Sequence, residues 1–288
     1  MKYGMLYMGS KSRIAEWIID NLPPAEHFYD LFGGGGAITH CALLSGKYKY
    51  VHYNELNPLI VKAFKMAVNG EFKNEKRWIS REDFNRLKDV DPYVSVCFSF
   101  GNNNNKGYCY SRKIELLKKA VHYAICFDDF SLLKELNIHI DENLKGRLPI
   151  CKAIKEFLNL NHLILHHLLN LERLQRLQSL ESLERLQSLE SLDILTDLNI
   201  TNLDYREVEI EKDSIIYCDI PYKNCAKYAN NDFNHDDFYD WARKQNNIFI
   251  SEYSMPDDFK IVGERNIKSI LCVTSKDKTV TEKLFKVD

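Results

Sequence analysis

Cysteine pairs at metal or redox spacing are missing from this chain. Its eight cysteines, at 41, 97, 109, 126, 151, 218, 225 and 272, contain no Cys-x-x-Cys, and no histidine cluster falls at zinc spacing. Reduced thiols and no bound metal are therefore expected. Long apolar runs are also missing. No span approaches transmembrane length, and residues 1–8 lack the basic region, apolar stretch and cleavage site of a signal peptide. A cytoplasmic protein with no membrane partner is expected. Net charge is small as well, at −2, which argues against indiscriminate coating of nucleic acid. That average conceals a segregation: residues 60–155 carry 18 Lys/Arg against 12 Asp/Glu, a local +6 that leaves −8 for the remainder. A basic middle in an acidic frame is compatible with a segment facing phosphates, and equally with an ordinary lysine-rich surface.

What is present begins with an α/β rhythm. The 288 residues suffice for one large α/β domain or for a domain carrying an insertion. Residues 10–20 read as a short amphipathic helix, with Ile14, Trp17 and Ile18 on one face, stopped by Pro23 and Pro24. Residues 27–32 read as a strand that runs into Gly33-Gly34-Gly35-Gly36 and then a helix over 37–44. A second strand over 49–53 ends at Asn54-Glu55, and 58–68 is helical again. Strand, glycine turn, helix, strand and helix make the opening of a doubly wound sheet. The parallel-sheet pattern resumes near Ile215, with later strands expected at 248–251 and 269–273. The polar, aromatic and basic stretch between reads as an insertion, with a loop or hairpin over 100–110.

Residues 171–198 place leucine at every third position, and 174–182 repeats as 183–191 with a single difference. A three-residue step does not match a 3.6-residue turn, so on a straight helix these leucines spiral around the axis. The segment is expected to be a repeat-expanded connector, helical at its start. A partner-binding helix is the sharper alternative.

Three groups of residues carry chemistry. Asp219-Ile220-Pro221-Tyr222 closes the apolar run 214–218, putting a carboxylate, a rigid backbone and an aromatic ring at a strand end. Such an ending suits a flat amine: the ring stacks, while the carboxylate and a carbonyl accept from NH2. On its own the tetrapeptide is just as well a strand-terminating turn. The glycine turn after Asp30 offers close backbone approach to a ligand, although Thr39 stands where a dinucleotide fingerprint needs its third glycine. Glu55, beyond the second strand, is placed either for ribose hydroxyls or as a helix-start acid before Pro58. Asp204, within Asn202-Leu203-Asp204-Tyr205, is placed either for an adenine amino group or for turn chemistry.

The order of these motifs, together with Tyr7-Met8-Gly9-Ser10-Lys11 and residues 278–285, resembles Dam-like (D12 class, alpha group) adenine-N6 DNA methyltransferases over nearly the full chain. The resemblance implies a Rossmann-like S-adenosylmethionine-dependent methyltransferase sheet with an inserted, mostly helical target-recognition region. Residues 1–69 and 199–288 would form the catalytic domain, 70–170 the recognition region and 171–198 the leucine-repeat connector. It implies that Tyr7, Lys11, Asp30, Phe32, Gly33, Gly35, Glu55, Asp204 and Asp219 hold S-adenosylmethionine. Asp219, Ile220, Pro221 and Tyr222 would hold a flipped adenine, and Asn102, Asn103, Lys106, Arg112 and Lys113 are the expected DNA contacts. Double-stranded DNA is the implied partner, a cognate restriction nuclease a candidate one, and a monomer is expected. Two positions depart from the family pattern: Ile220 replaces the first proline of Asp-Pro-Pro-Tyr, and Glu55 replaces the more frequent Asp. A catalytically silent DNA-binding protein of the same fold, and methylation of cytosine N4 or RNA adenine, are the alternatives.

Overall fold

A computed structural model describes residues 2–102, 107–160, 177–192, 197–222, 233–268 and 279–287. The chain divides into two compact units, residues 1–69 with 189–288, and residues 70–188. The first unit is built on a seven-stranded sheet. In chain order its strands are β1 (Ala25–Asp30), β2 (Tyr48–Asn54), β3 (Leu198–Thr201), β4 (Ile215–Cys218), β5 (Ile248–Glu252), β6 (Phe259–Lys268) and β7 (Thr279–Val287). They lie in the order β3-β2-β1-β4-β5-β7-β6. The first five pair in parallel, and β7 runs antiparallel between β5 and β6.

Burial on both faces explains why β4 reads as a continuous apolar run instead of an alternating one. Ile215 and Tyr217 enter a core shared with Phe28, Ile18 and Ile38, whereas Ile216 and Cys218 enter the opposite core with Phe238, Ile250 and Phe285. The helices on these faces include α1 (Ala15–Asp20) and α2 (Ala37–Ser45) on one side and α10 (His235–Ala242) on the other. Helix α3 (Pro58–Val68) starts where Asn57 accepts the Leu59 N–H at 3.0 Å and Pro58 presets the first turn. The sheet order reverses between β1 and β4. Chains leaving these two strands diverge, which opens a crevice at their carboxyl ends.

Several sequence expectations shift. Helix α1 begins only at Ala15, because residues 10–14 are occupied by turns: Ser10 N–H bonds to the Tyr7 carbonyl and Ile14 N–H to the Lys11 carbonyl. Strand β3 was not anticipated. It is four residues long, polar at alternate positions and paired only to β2, so it lacks the apolar run of a central strand. The strand expected at 269–273 lies outside the described residues.

The second unit is helical: α4 (Arg81–Leu87), α5 (Pro92–Phe98), α6 (Arg112–Phe127), α7 (Ser131–Glu135), α8 (Arg147–Leu160) and α9 (Gln178–Gln187). A hairpin-like closure follows α5, with a Ser99–Tyr108 bridge, Phe100 N–H on the Gly107 carbonyl and Cys109 N–H on the Phe98 carbonyl. Trp78 stacks on Tyr110 with ring centroids 5.5 Å apart.

Residues 177–188 of the leucine repeat belong to this unit's interior. Leu177, Leu180, Leu183 and Leu186 are buried, and so are Ser179 and Ser182 between them. A leucine every third residue winds around a helix, and α9 is enclosed on most of its circumference, so the spiral is what its surroundings require. Its one polar edge, Glu181 and Glu184, is held by Arg147 at 3.0 and 2.9 Å. Leu186→Ala is expected to lower stability by about 2–5 kcal/mol, as for a buried leucine, in urea unfolding. A loss of only a few tenths, the scale of surface changes, would show that α9 is a detached connector.

Candidate active site

The glycine turn is shaped by what fills the space beside it. A Cβ on Gly33 would lie 2.2 Å from the Tyr53 ring, and one on Gly36, whose φ is +69°, would lie 2.3 Å from Phe64. Glycine is needed at both positions. Tyr7 covers Gly34 and Gly35 from the other side. The loop's N–H groups are largely spent internally: Gly33 donates to the Asn54 carbonyl, Gly36 to the Gly33 carbonyl and Gly34 to Glu55 Oε2, the last at 3.0 Å. These three N–H groups are thus engaged within the protein. The turn's glycines allow two aromatic rings and the 33–36 backbone to pack in contact.

Around this turn stand the acids. Asp30 ends β1 and is only 1% exposed. Its Oδ2 accepts both the N–H and the hydroxyl of Thr39, at 3.1 and 2.7 Å, in the first turn of α2, where a helix has unpaired donors to give. Its Oδ1 is buried without a hydrogen-bond partner. Burial above all pushes this carboxyl up to about 7; the Thr39 bonds oppose the shift, and the charges of Asp219 and Glu55 add to it. Glu55 is also raised by burial, against bonds from the Asn57 and Gly34 N–H groups. Asn54 braces the strand ends beneath, donating to the carbonyls of Leu31 and Leu203 and accepting from Thr201 and the Leu203 N–H.

Asp219 follows β4, beside the end of β1, because Tyr217 pairs with Asp30. Lys11 Nζ lies 2.8 Å from Asp219 Oδ1 and 3.7 Å from Glu282 Oε1, and 4.5 Å from the centroid of the Tyr222 ring. The Tyr222 hydroxyl donates to Glu282 Oε1, and its ring meets Tyr253 edge-on at 4.7 Å. Burial pushes Asp219 up to about 6; Lys11 opposes this and Glu282 adds to it. Ile220, the position that departs from the family pattern, is 2% exposed and packs in the core with Ile216 and Ile250. The Pro221 carbonyl is 2.8 Å from His235 Nε2. Phe32 forms an aromatic wall with Tyr205, Phe233 and Phe238.

Two groups of expected residues are placed differently. Both Asp204 oxygens are taken by Arg206, at 2.7 and 2.8 Å, while Asp204 caps the turn Tyr205–Glu207; this is the turn chemistry its sequence allowed. Asn102 is buried with φ +61°, and its amide donates to the Val96 carbonyl and Ser182 Oγ, both at 2.7 Å. It ties the end of α5 to α9 and has no edge to offer a base, which corrects its assignment as a DNA contact. Asn103 and Lys106 lie outside the described residues. Arg112 and Lys113 are exposed in the first turn of α6. Glu282 was missed. It is 1% exposed on β7, in phase with buried Leu284, and an acid on the inward side of an alternating strand was the available signal.

The sheet order, with the acids collected where β1 and β4 diverge, is that of a Rossmann-like methyltransferase. The model of the D12 class N6 adenine-specific DNA methyltransferases matches residues 7–148, and over that stretch the chain is similar to that class. It is an S-adenosylmethionine-dependent enzyme that methylates adenine N6 in DNA. A comparison with curated proteins found no match. The matched stretch holds Tyr7 to Glu55 and ends before Asp204 and Asp219. The acids interact in a chain, Asp30 with Glu55 and Asp219, and Asp219 with Glu282, and among the described residues of this cluster they outnumber Lys11. With Asp30 Oδ1 lacking a donor, the pocket suits a cationic, donor-bearing ligand, and S-adenosylmethionine carries both a sulfonium and an ammonium.

Because the Asp30 carboxyl is raised on folding, its contribution to stability is intact below about pH 4, its unfolded value, and is lost as pH rises through about 7. The cofactor-free wild type is expected to lose stability relative to Asp30→Asn across that window, by up to ~1.4 kcal/mol per pH unit, in urea unfolding. Parallel profiles would contradict the assignment.

Proposed function

We propose that the enzyme takes its target adenine out of the duplex and clamps it at Asp219-Ile220-Pro221-Tyr222. The supporting observation is the location of Asp219: a mostly buried acid at the point where the sheet order reverses, paired through β4 with the strand that ends in Asp30, with the Tyr222 ring beside it. The N6 lone pair of adenine is delocalised into its ring and must be freed. Asp219 and the Ile220 carbonyl accept the two N6 hydrogens, and Tyr222 stacks on the base. Bound S-adenosylmethionine supplies the electrophilic methyl group. Asp219, already raised to about 6, is then suited to receive the proton that the alkylated amine sheds. Since the backbone carbonyl at 220 is kept whatever the side chain, the buried Ile220 side chain secures the turn by packing where a first proline would secure it by fixing φ.

Tyr7, Lys11, Asp30, Phe32, Gly33, Gly35 and Glu55 are assigned to the cofactor side of the pocket, with Asp30 Oδ1 and Glu55 as its acceptors and Phe32 as its wall. Residues 70–170 serve as the target-recognition region, in which Arg112 and Lys113, exposed at the start of α6, contact phosphates. The enzyme acts as a cytoplasmic monomer on double-stranded DNA, with a cognate restriction nuclease as a candidate partner. Among the described residues no helix is long and apolar enough to cross a membrane, and no three His, Cys, Asp or Glu side chains gather as metal ligands.

Expression in a methylation-deficient host, with modified bases mapped by long-read sequencing, is expected to show methyladenine in one short motif. On that motif Asp219→Ala is expected to lower turnover by ~10²–10³, the scale for one preorganised polar partner; near wild-type turnover would remove Asp219 from the clamp. Tyr222→Ala is expected to weaken capture of the base by about 1–3 kcal/mol of stacking, read as DNA affinity and single-turnover rate. Both unchanged would place the base elsewhere.

A further inference from the structure

Lys11 holds two contacts that the clamp assigns to adenine. Its ammonium donates to Asp219 at 2.8 Å and lies over the Tyr222 ring at 4.5 Å, as the target amine and the target ring are expected to do. The side chain is 11% exposed, and Asp219 20%. A base cannot take Asp219 and the face of Tyr222 while the ammonium keeps both. A second acceptor is within reach: Glu282, 1% exposed, is 3.7 Å from the same nitrogen and is fixed by the Tyr222 hydroxyl. Lysine suits such a transfer, being a compact charge on a flexible stem with three rotatable donors.

We propose that Lys11 is a placeholder for the target amine, holding Asp219 and the Tyr222 face in the DNA-free enzyme and passing to Glu282 when adenine arrives. The proposal rests on the clamp reading above. Its physical basis is that a buried carboxylate without a partner is costly. With the ammonium at 2.8 Å from Asp219 and 3.7 Å from Glu282, Glu282 has the Tyr222 hydroxyl but, among the described residues, no closer cation; the N6 amine takes over as donor at Asp219 while Lys11 closes on Glu282. The clamp is thereby kept compensated in both states, and Glu282 becomes a positioning residue acting through Lys11 and Tyr222.

The test uses the full-length enzyme and a duplex carrying its mapped site, with 2-aminopurine next to the target adenine. The probe brightens when its neighbour unstacks and leaves the 6-amine free to be captured. Glu282→Gln is expected to weaken base capture about tenfold, because Lys11 is left on Asp219; Lys11→Met is expected to strengthen it about three- to tenfold. The double variant is expected to follow Lys11→Met, since no lysine remains to be moved. A double variant as weak as Glu282→Gln would show that Glu282 acts on Tyr222 alone, and weaker capture by Lys11→Met would show that Lys11 assists the base; either overturns the placeholder. Lys11→Gln, which keeps a donor without the charge, repeats the reading at the same position should Lys11→Met fail to fold. Turnover of Asp219→Ala at the wild-type rate would instead sink the clamp, whatever order the fluorescence takes.

Discussion

A carboxylate is costly to bury without a counter-charge, and the catalytic unit gathers four of them where β1 and β4 diverge. Asp30 ends one strand, Asp219 follows the other, Glu55 lies beyond β2 and Glu282 comes from antiparallel β7. The fold makes this gathering unavoidable: parallel strands aim their carboxyl ends at one crevice, and the reversal of sheet order opens that crevice at the centre. Thr39, the Gly34 and Asn57 N–H groups, Lys11 and the Tyr222 hydroxyl each neutralise part of the charge. What they leave, among the described residues, is an excess of acidic groups and an oxygen, Asp30 Oδ1, with no hydrogen-bond partner. In the proposed reading a sulfonium cofactor and an amine-bearing base complete the cluster.

From this imbalance the division of labour follows. In the proposed reading the β1 side, with Tyr7 packed on the glycine turn, takes the cofactor, and the β4 side, with Tyr222, takes the base. Lys11 connects them by charge. The raised values of Asp30 and Asp219 have the same origin in burial and mutual repulsion, so cofactor and base each shift the protonation of a shared cluster.

The sequence made the opening βαβα segment legible because apolar alternation, the glycine turn and the Asn57-Pro58 helix start coincide there. The end of β4 just before Asp219 was legible because a buried apolar run stops there. Strand β3 was hidden by its length of four residues and its Asn and Thr. The glycine turn was visible, but the rings of Tyr53 and Phe64 that require it come from β2 and α3, and no local pattern announces such packing. Asn102 sits in an Asn-rich tract that reads as a polar tip, yet its left-handed backbone turns the amide inward to Val96 and Ser182. Glu282 kept phase with apolar neighbours, and its value lies in contacts to Lys11 and Tyr222, which are distant in the chain. The leucine spiral contradicted a stripe-faced helix, and only the enclosing neighbours of α9 show why a spiral is stable there.

A cation that completes the acid cluster must release protons from it on binding. Titration calorimetry of S-adenosylmethionine at pH 6.5, in buffers of different ionisation enthalpy, counts the protons exchanged. Because Asp30 and Asp219 are raised to about 7 and about 6 in the free protein, an incoming cation drives them toward the ionised form. The account expects release of a substantial fraction of a proton, diminished in Asp30→Asn. Binding with no release, or with uptake, would contradict it.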